Sequence, residues 1–119
     1  MRPAGELAVS DWLEVTQGHI DAFADAIDDR QCIHVDCERA ARESPYGATI
    51  AHGFMTLSLL TRLLESTLVV TGARAGINVG FNRPRFAAPV RAGSRIRGRF
   101  VLAALDDVDG GVQMTWNVT

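Results

Sequence analysis

The chain predicts an α+β domain in which an antiparallel sheet packs against one apolar helix. Three observations predict it: a long apolar stretch at helical spacing from Gly53 to Val70, a switch to period two beyond it, and a turn sequence, "DDVDGG", between the last two alternating runs. A length of 119 residues suits one domain, read as residues 1–119, with an appreciable core.

Taken in order, "DWLEVT" (Asp11 to Thr16) reads as a short strand or strand-like lead-in. Thr16 is placed to N-cap a helix through "QGHIDAFADAI", in which Ile20, Phe23, Ala24 and Ile27 recur at helical spacing. That helix should stop at Asp28–Asp29, because consecutive Asp residues compete with the helix for backbone hydrogen bonds. "ERAARE" can form a second short helix, and Pro45 and Gly47 mark "SPYGAT" as a loop.

In the Gly53–Val70 stretch, Phe54, Leu57, Leu60, Leu64 and Leu68 make one stripe, and Met55, Leu59 and Leu63 widen it, so one long, largely buried helix is expected. Gly72 is its predicted stop. Ser58, Thr61 and Thr67 are polar interruptions, expected mostly to bond back to the preceding turn. Beyond, "GINVGFNRPRF" alternates through Ile77, Val79 and Phe81 as a strand, until "APV" breaks it. "SRIRGRFVL" sets Ile96, Gly98, Phe100 and Leu102 against Arg95, Arg97 and Arg99. "DDVDGG" is a hairpin turn, and "VQMTWNV" points Val112, Met114, Trp116 and Val118 inward. The chain stops at Thr119 within this last strand, so its edge calls for a partner. A homodimer with a continuous sheet would supply one and cover the apolar helix.

Bulk properties exclude several classes. A net charge of −2 provides no basic field for nucleic acid or an anionic membrane, and Arg62 and Glu65 interrupt the most apolar run, so no segment should span a bilayer. The N-terminus shows no charged lead followed by an apolar h-region. The two Cys make no disulfide framework, which suits a reducing cytoplasm. No nucleophile elbow, dinucleotide fingerprint or Walker loop occurs, which disfavours serine hydrolases, dinucleotide enzymes and nucleotidases.

Chemistry concentrates in "DDRQCIHVD", residues 28 to 36. Cys32, His34 and Cys37 are potential metal ligands, with Asp29 or Asp36 to complete a set. Structural zinc sites usually draw paired ligands from two knuckles, and no second Cys/His pair exists, so no metal is expected and both Cys read as small buried hydrophobes. Asp29 and His34 are a candidate acid–base pair for adding or removing water across a polarised double bond. An acidic turn beside a surface His is the competing reading. His52–Gly53 begins the apolar helix, where a Gly lets a ligand approach free backbone N–H groups able to stabilise an enolate-like oxygen. A tight-packing Gly, and a His that is a second base or a satisfied structural group, are the alternatives there.

"FADAIDDRQCIHVDCERA" followed by "GATIAHGFMTLSLL" resembles the MaoC-like, (R)-specific enoyl-CoA hydratase branch of the hot-dog superfamily, and "GFNRPRFAAPVRAGSRIRGR" is similar to its later strands. The resemblance runs from about Trp12 to the C-terminus. It implies an antiparallel sheet wrapped around a long central helix, one strand short of the family's usual set, and reversible hydration of a trans-2-enoyl thioester of CoA or a carrier protein, without cofactor. Asp29 and His34 match the catalytic positions, Gln31 the amide position between them, and Gly53 the glycine whose N–H polarises the thioester carbonyl. Thr61 matches a helix Ser/Thr near the acyl site. Among the second-half arginines, Arg83 and Arg85 are candidates for the CoA phosphates, although a solvated sheet face accounts for them equally well. Asp28 stands where the family usually has Gly, and is expected to take the left-handed conformation with its carboxylate in solvent. Cys32 replaces the usual Pro or aromatic residue.

Two other functions fit such a fold. A thioesterase would call for an acid on the central helix, and only Glu65, far from Gly53, is available. A non-catalytic thioester-binding subunit is disfavoured by the retention of both Asp29 and His34.

Overall fold

The computed structural model describes residues 7–68, 71–72 and 74–119. They divide into two compact units, one formed by Trp12–Leu60 with Arg85–Ile96, the other by the chain up to Asp11 with Thr61–Pro84 and Arg97–Thr119.

In the first unit, β2 (Leu13–Glu14) pairs antiparallel with β3 (Arg95–Ile96), Leu13 opposite Ile96. Helix α1 (Gln17–Ile27) starts where expected, with the Thr16 hydroxyl accepting from the His19 N–H at 3.1 Å. It ends at Asp28, whose φ of 59° lets its N–H reach the Ala24 carbonyl. Next come α2 (Cys32–Val35), α3 (Cys37–Glu43) and α4 (Gly53–Ser58). The Asp36 carboxylate caps α3 by accepting from the Arg39 N–H at 3.0 Å. Val15, Ile20, Ala51 and Met55 form the core, with Phe23, Leu59, Val90, Ala92 and Ile96 packed against it. Burial of each larger side chain stabilises the unit by roughly 1.5–3 kcal/mol.

The second unit holds a three-stranded antiparallel sheet in the order β1 (Leu7–Val9), β4 (Arg99–Val108), β5 (Gly111–Val118). Asp109–Gly110 closes the β4–β5 hairpin, with Gly110 at φ 79°. Phe100 and Leu102 are fully buried, as the alternation predicts. A register shift between Leu102 and Ala104 marks a bulge. The ladder continues to the last residue, where Thr119 and Arg99 exchange backbone hydrogen bonds of 2.8 and 3.0 Å.

Several expectations are corrected. The lead-in strand shrinks to Leu13–Glu14, and β1, which carries no signal beyond three residues, was not anticipated. The long helix is two short ones, α4 and α5 (Leu60–Glu65), with Val69 and Val70 outside the described residues. The Ser58 hydroxyl donates to the Met55 carbonyl at 2.7 Å, as expected of a back-bonding Ser, and the same carbonyl also accepts from the Leu59 N–H at 3.1 Å. Ser66 and Thr67 bond back in the same way, to Leu63 and Leu64. Only Met55 and Leu63 are buried in these helices, so the wide apolar face is not largely buried within the chain. No strand forms over Ile77–Phe81, where Ile77 and Val79 are 81% and 77% exposed: a period-two pattern becomes a strand only with a neighbour to bond, and none lies there among the described residues. "SRIRGRFVL" is shared between two sheets, and the chain passes from β3 to β4 at Arg97–Gly98. In β5 only Met114, Thr115 and Trp116 are half-buried, while Val112 and Val118 are exposed.

Candidate active site

The reactive residues of the first unit converge through three local structures. At the end of α1, the left-handed Asp28 turns the chain so that the Asp29 N–H bonds the Ala24 carbonyl at 3.0 Å. The Asp29 carboxylate is then half-buried, with the Gln31 N–H 3.4 Å from its Oδ1. Asp28 itself points away, its side chain 85% exposed and paired with Arg30. Asp25 first, and then Asp28, hold the Arg30 guanidinium above its usual pKa range. The expected solvent role of Asp28 is what the structure shows.

His34 lies on the single turn of α2, capped by the Gln31 carbonyl, which accepts from the His34 N–H at 3.0 Å. A one-turn helix aims the side chain inward where an extended chain would have alternated, and His34 is only 7% exposed. Its Nδ1 faces the Ile50 carbonyl at 2.7 Å. A carbonyl only accepts, so Nδ1 carries the hydrogen and Nε2 keeps its lone pair. Gln17 fixes the same turn, donating to the His34 carbonyl at 2.7 Å while its own carbonyl accepts from the buried Thr49 hydroxyl.

His52 and Gly53 arrive on the strand-like segment 49–52. That segment is held by an Ala51 N–H to Val90 carbonyl bond of 2.8 Å and an Ala92 N–H to Thr49 carbonyl bond of 3.0 Å. His52 is 4% exposed, and its Nε2 lies 3.0 Å from the Asp29 backbone carbonyl and 3.9 Å from its Oδ2. Its ring stacks on that of His34, centroids 3.8 Å apart and 20° from parallel, with Phe23 tilted against it at 5.1 Å. Gly53 opens α4, its amide ahead of the helix's own ladder. The Phe86 ring lies so close over Gly53 that a Cβ there would meet it at 2.9 Å, and Phe54 meets Phe86 edge-on at 6.2 Å.

One ligand-capable atom from each of Asp29, His34 and His52 falls within 4.8 Å of the others. Two nearly parallel imidazoles carry their in-plane lone pairs side by side, which suits convergence on one ion at ordinary Zn–N lengths of about 2.0–2.1 Å poorly. Cys32 is half-buried and Cys37 exposed; neither joins this group, and Cys37 is not the buried hydrophobe expected. Asp29 and His34 come together with His52, whose chain neighbour Gly53 opens α4, and Gln31 bonds through its backbone with its side chain exposed. Thr61 belongs to the other unit, where its hydroxyl accepts from the Asn78 amide at 3.2 Å. Arg83 and Arg85 are exposed outside any strand, Arg83 at φ 59°. The contacts of Gln17 were not anticipated. Its partners lie 17 and 32 residues away, and no local pattern announces such links.

Comparison with known proteins bears on what this arrangement does. One family, described as the MaoC like domain, matches residues 2–119. The chain is 50% identical over 118 residues to 3-hydroxyacyl-thioester dehydratase Z of Mycobacterium tuberculosis H37Rv, covering 98% of this chain and 78% of the relative. It is 49% identical over 116 residues to Nodulation protein N of Rhizobium meliloti, covering 96% and 72% of the two chains. Among solved structures, a MaoC-like dehydratase from Rhodospirillum rubrum superposes with a TM-score of 0.74 at 25% identity, over 99% of this chain and 82% of that one.

Proposed function

The chain belongs to the MaoC-like family, whose hydratases have the hot-dog fold, and on that premise we propose that it is a hydro-lyase interconverting trans-2-enoyl and (R)-3-hydroxyacyl thioesters. The observation that carries this reading is the approach of the Asp29 carboxylate and the His34 imidazole, from the end of α1 and from α2, to within 4.8 Å beside the opening of α4.

In the hydration direction, Asp29 and His34 jointly activate a water. Its oxygen bonds C3 of the enoyl group while one of its protons passes to the pair. The C2=C3 electrons move toward the thioester oxygen, where the Gly53 N–H stabilises the developing charge. The pair then returns a proton to C2, so the net change is addition of one water. His34 suits the role because Ile50 occupies its Nδ1–H and leaves Nε2 as the basic nitrogen. Asp29 is held by its own turn, through Ala24 and Gln31.

The acyl carrier is CoA or a carrier protein, with Arg83 and Arg85 as phosphate contacts, and Gln31 and Thr61 as further substrate-binding residues. Residues 1–119 act as one domain in a homodimer, which would pair the open edge of β5 and cover the exposed Ile77 and Val79. No helix among the described residues is long and apolar enough to cross a membrane. We place the protein in the cytoplasm, where free Cys32 and Cys37 stay reduced. Crotonyl-CoA mixed with the purified protein should lose its enoyl absorbance. Absence of turnover on every enoyl thioester tried, with CoA and with carrier protein, would overturn the reading.

A further inference from the structure

Two imidazoles meet at the centre of this site, and the reaction as written employs one. The other, His52, is bonded at Nε2 to the Asp29 carbonyl, so Nε2 must carry the hydrogen. That leaves Nδ1 a bare lone pair, the one fully enclosed side-chain nitrogen or oxygen without a partner among the described residues. A ring kept for stability alone would not strand a buried acceptor, because an apolar ring of similar shape fills the space without that cost.

What distinguishes His52 is what it touches. Its Nε2–H holds the backbone of Asp29, and the same nitrogen lies 3.9 Å from the Asp29 Oδ2. Its face lies against His34 at 3.8 Å, while Phe23 backs it at 5.1 Å. The catalytic carboxylate and the catalytic imidazole sit on different elements, and one buried ring contacts both.

We propose that His52 is a positioning residue for the Asp29–His34 pair, anchoring the Asp29 backbone through Nε2–H and fixing the plane of the His34 ring by stacking. The inference rests on the reading of Asp29 and His34 as the acid–base pair.

Two variants separate its contacts. His52→Gln retains an amide donor for the Asp29 carbonyl and removes the stacked ring; His52→Phe retains the ring and removes the donor. Each is assayed for kcat and KM on crotonyl-CoA, for its melting temperature, and for the His34 Hε1 resonance by NMR. Misplacing a reacting group by about 1 Å can cost about 100-fold, so each should lower kcat by roughly 10- to 100-fold with KM within about two-fold. His52→Phe should melt no lower than the parent, and His52→Gln should remove the ring-current displacement of the His34 resonance. Unchanged kcat in both variants, or a kcat loss that only follows a loss of folded protein, overturns the proposal. If the parent turns over no enoyl thioester, the hydratase reading fails, and the NMR arm alone decides whether His52 orients His34: a resonance unmoved in His52→Gln rejects it.

Discussion

The His34 and His52 imidazoles stack face to face, centroids 3.8 Å apart, and each donates its bonded N–H to a backbone carbonyl, Ile50 for the first and Asp29 for the second. The hydrogen on each ring is therefore assigned by main chain. The Nε2 of His34 is thereby the nitrogen left to accept a proton in the proposed reaction, and this is set before any substrate arrives.

Asp29→Asn and His34→Ala should each reduce kcat by roughly 10²–10⁴-fold, the usual worth of a positioned proton-transfer group. Asn preserves an Oδ1 to accept from the Gln31 N–H, so Asp29→Asn should melt within a few degrees of the parent. Stopped-flow loss of enoyl absorbance and a thermal melt measure the two effects. A folded Asp29→Asn protein with full activity removes Asp29 from the mechanism.

Gly53→Ala would push a Cβ to 2.9 Å from the Phe86 ring. Phe86 is 53% exposed and has room to turn aside, so the stability cost should stay near about 1 kcal/mol, the low end for overpacking. Activity should fall further than stability, because the displaced contact lies at the amide assigned to the thioester oxygen. The double variant Gly53→Ala/Phe86→Ala should recover the stability, and a double-mutant cycle reads the coupling.

At Gly98 the outcome reverses. A Cβ would sit 2.5 Å from the ring of Phe100, which is fully buried and bordered by the sheet. Gly98→Ala should therefore cost about 2–3 kcal/mol, seen as a lower denaturant midpoint. Gly98 also exchanges bonds with Ser10, whose hydroxyl accepts its N–H at 2.8 Å, so β1 should lose protection in hydrogen exchange as well.

Asp28 adopts φ 59°, and its ion pair with Arg30 is exposed and worth little. Asp28→Gly should leave stability within about 0.5 kcal/mol, since relief of the left-handed strain offsets the greater freedom of the unfolded chain. Asp28→Val, β-branched at positive φ, should lose about 1–2 kcal/mol and weaken turnover by disturbing the turn that aims Asp29. Chemical denaturation of the two variants side by side tests the contrast.

The sequence read well where the determinants are local. Thr16, the spacing of Ile20, Phe23 and Ala24, and the Asp pair mark both ends of α1, and Asp109–Gly110 marks the β4–β5 hairpin. It read poorly where a missing neighbour decides. The alternation of Ile77, Val79 and Phe81 says nothing of what lies beside it. In the site, the chemistry of the residues pointed to Asp29, His34 and Gly53, and the family likeness matched the same positions. The stacking of His52 on His34 joins residues 18 apart, and the Gln17 bonds join still more distant segments through tertiary packing.

The carbonyls that hold the two imidazoles have a consequence for how this protein can change. A main-chain oxygen survives any substitution of the side chain it belongs to, so the hydrogen placement on His34 does not depend on position 50 remaining Ile. Position 50 can thus exchange side chains while the hydrogen placement on His34 stays as it is. The side chain at position 50 and the proton placement on His34 can therefore drift separately, and Ile50→Val should leave the tautomer of His34, read by NMR of its ring nitrogens, unchanged.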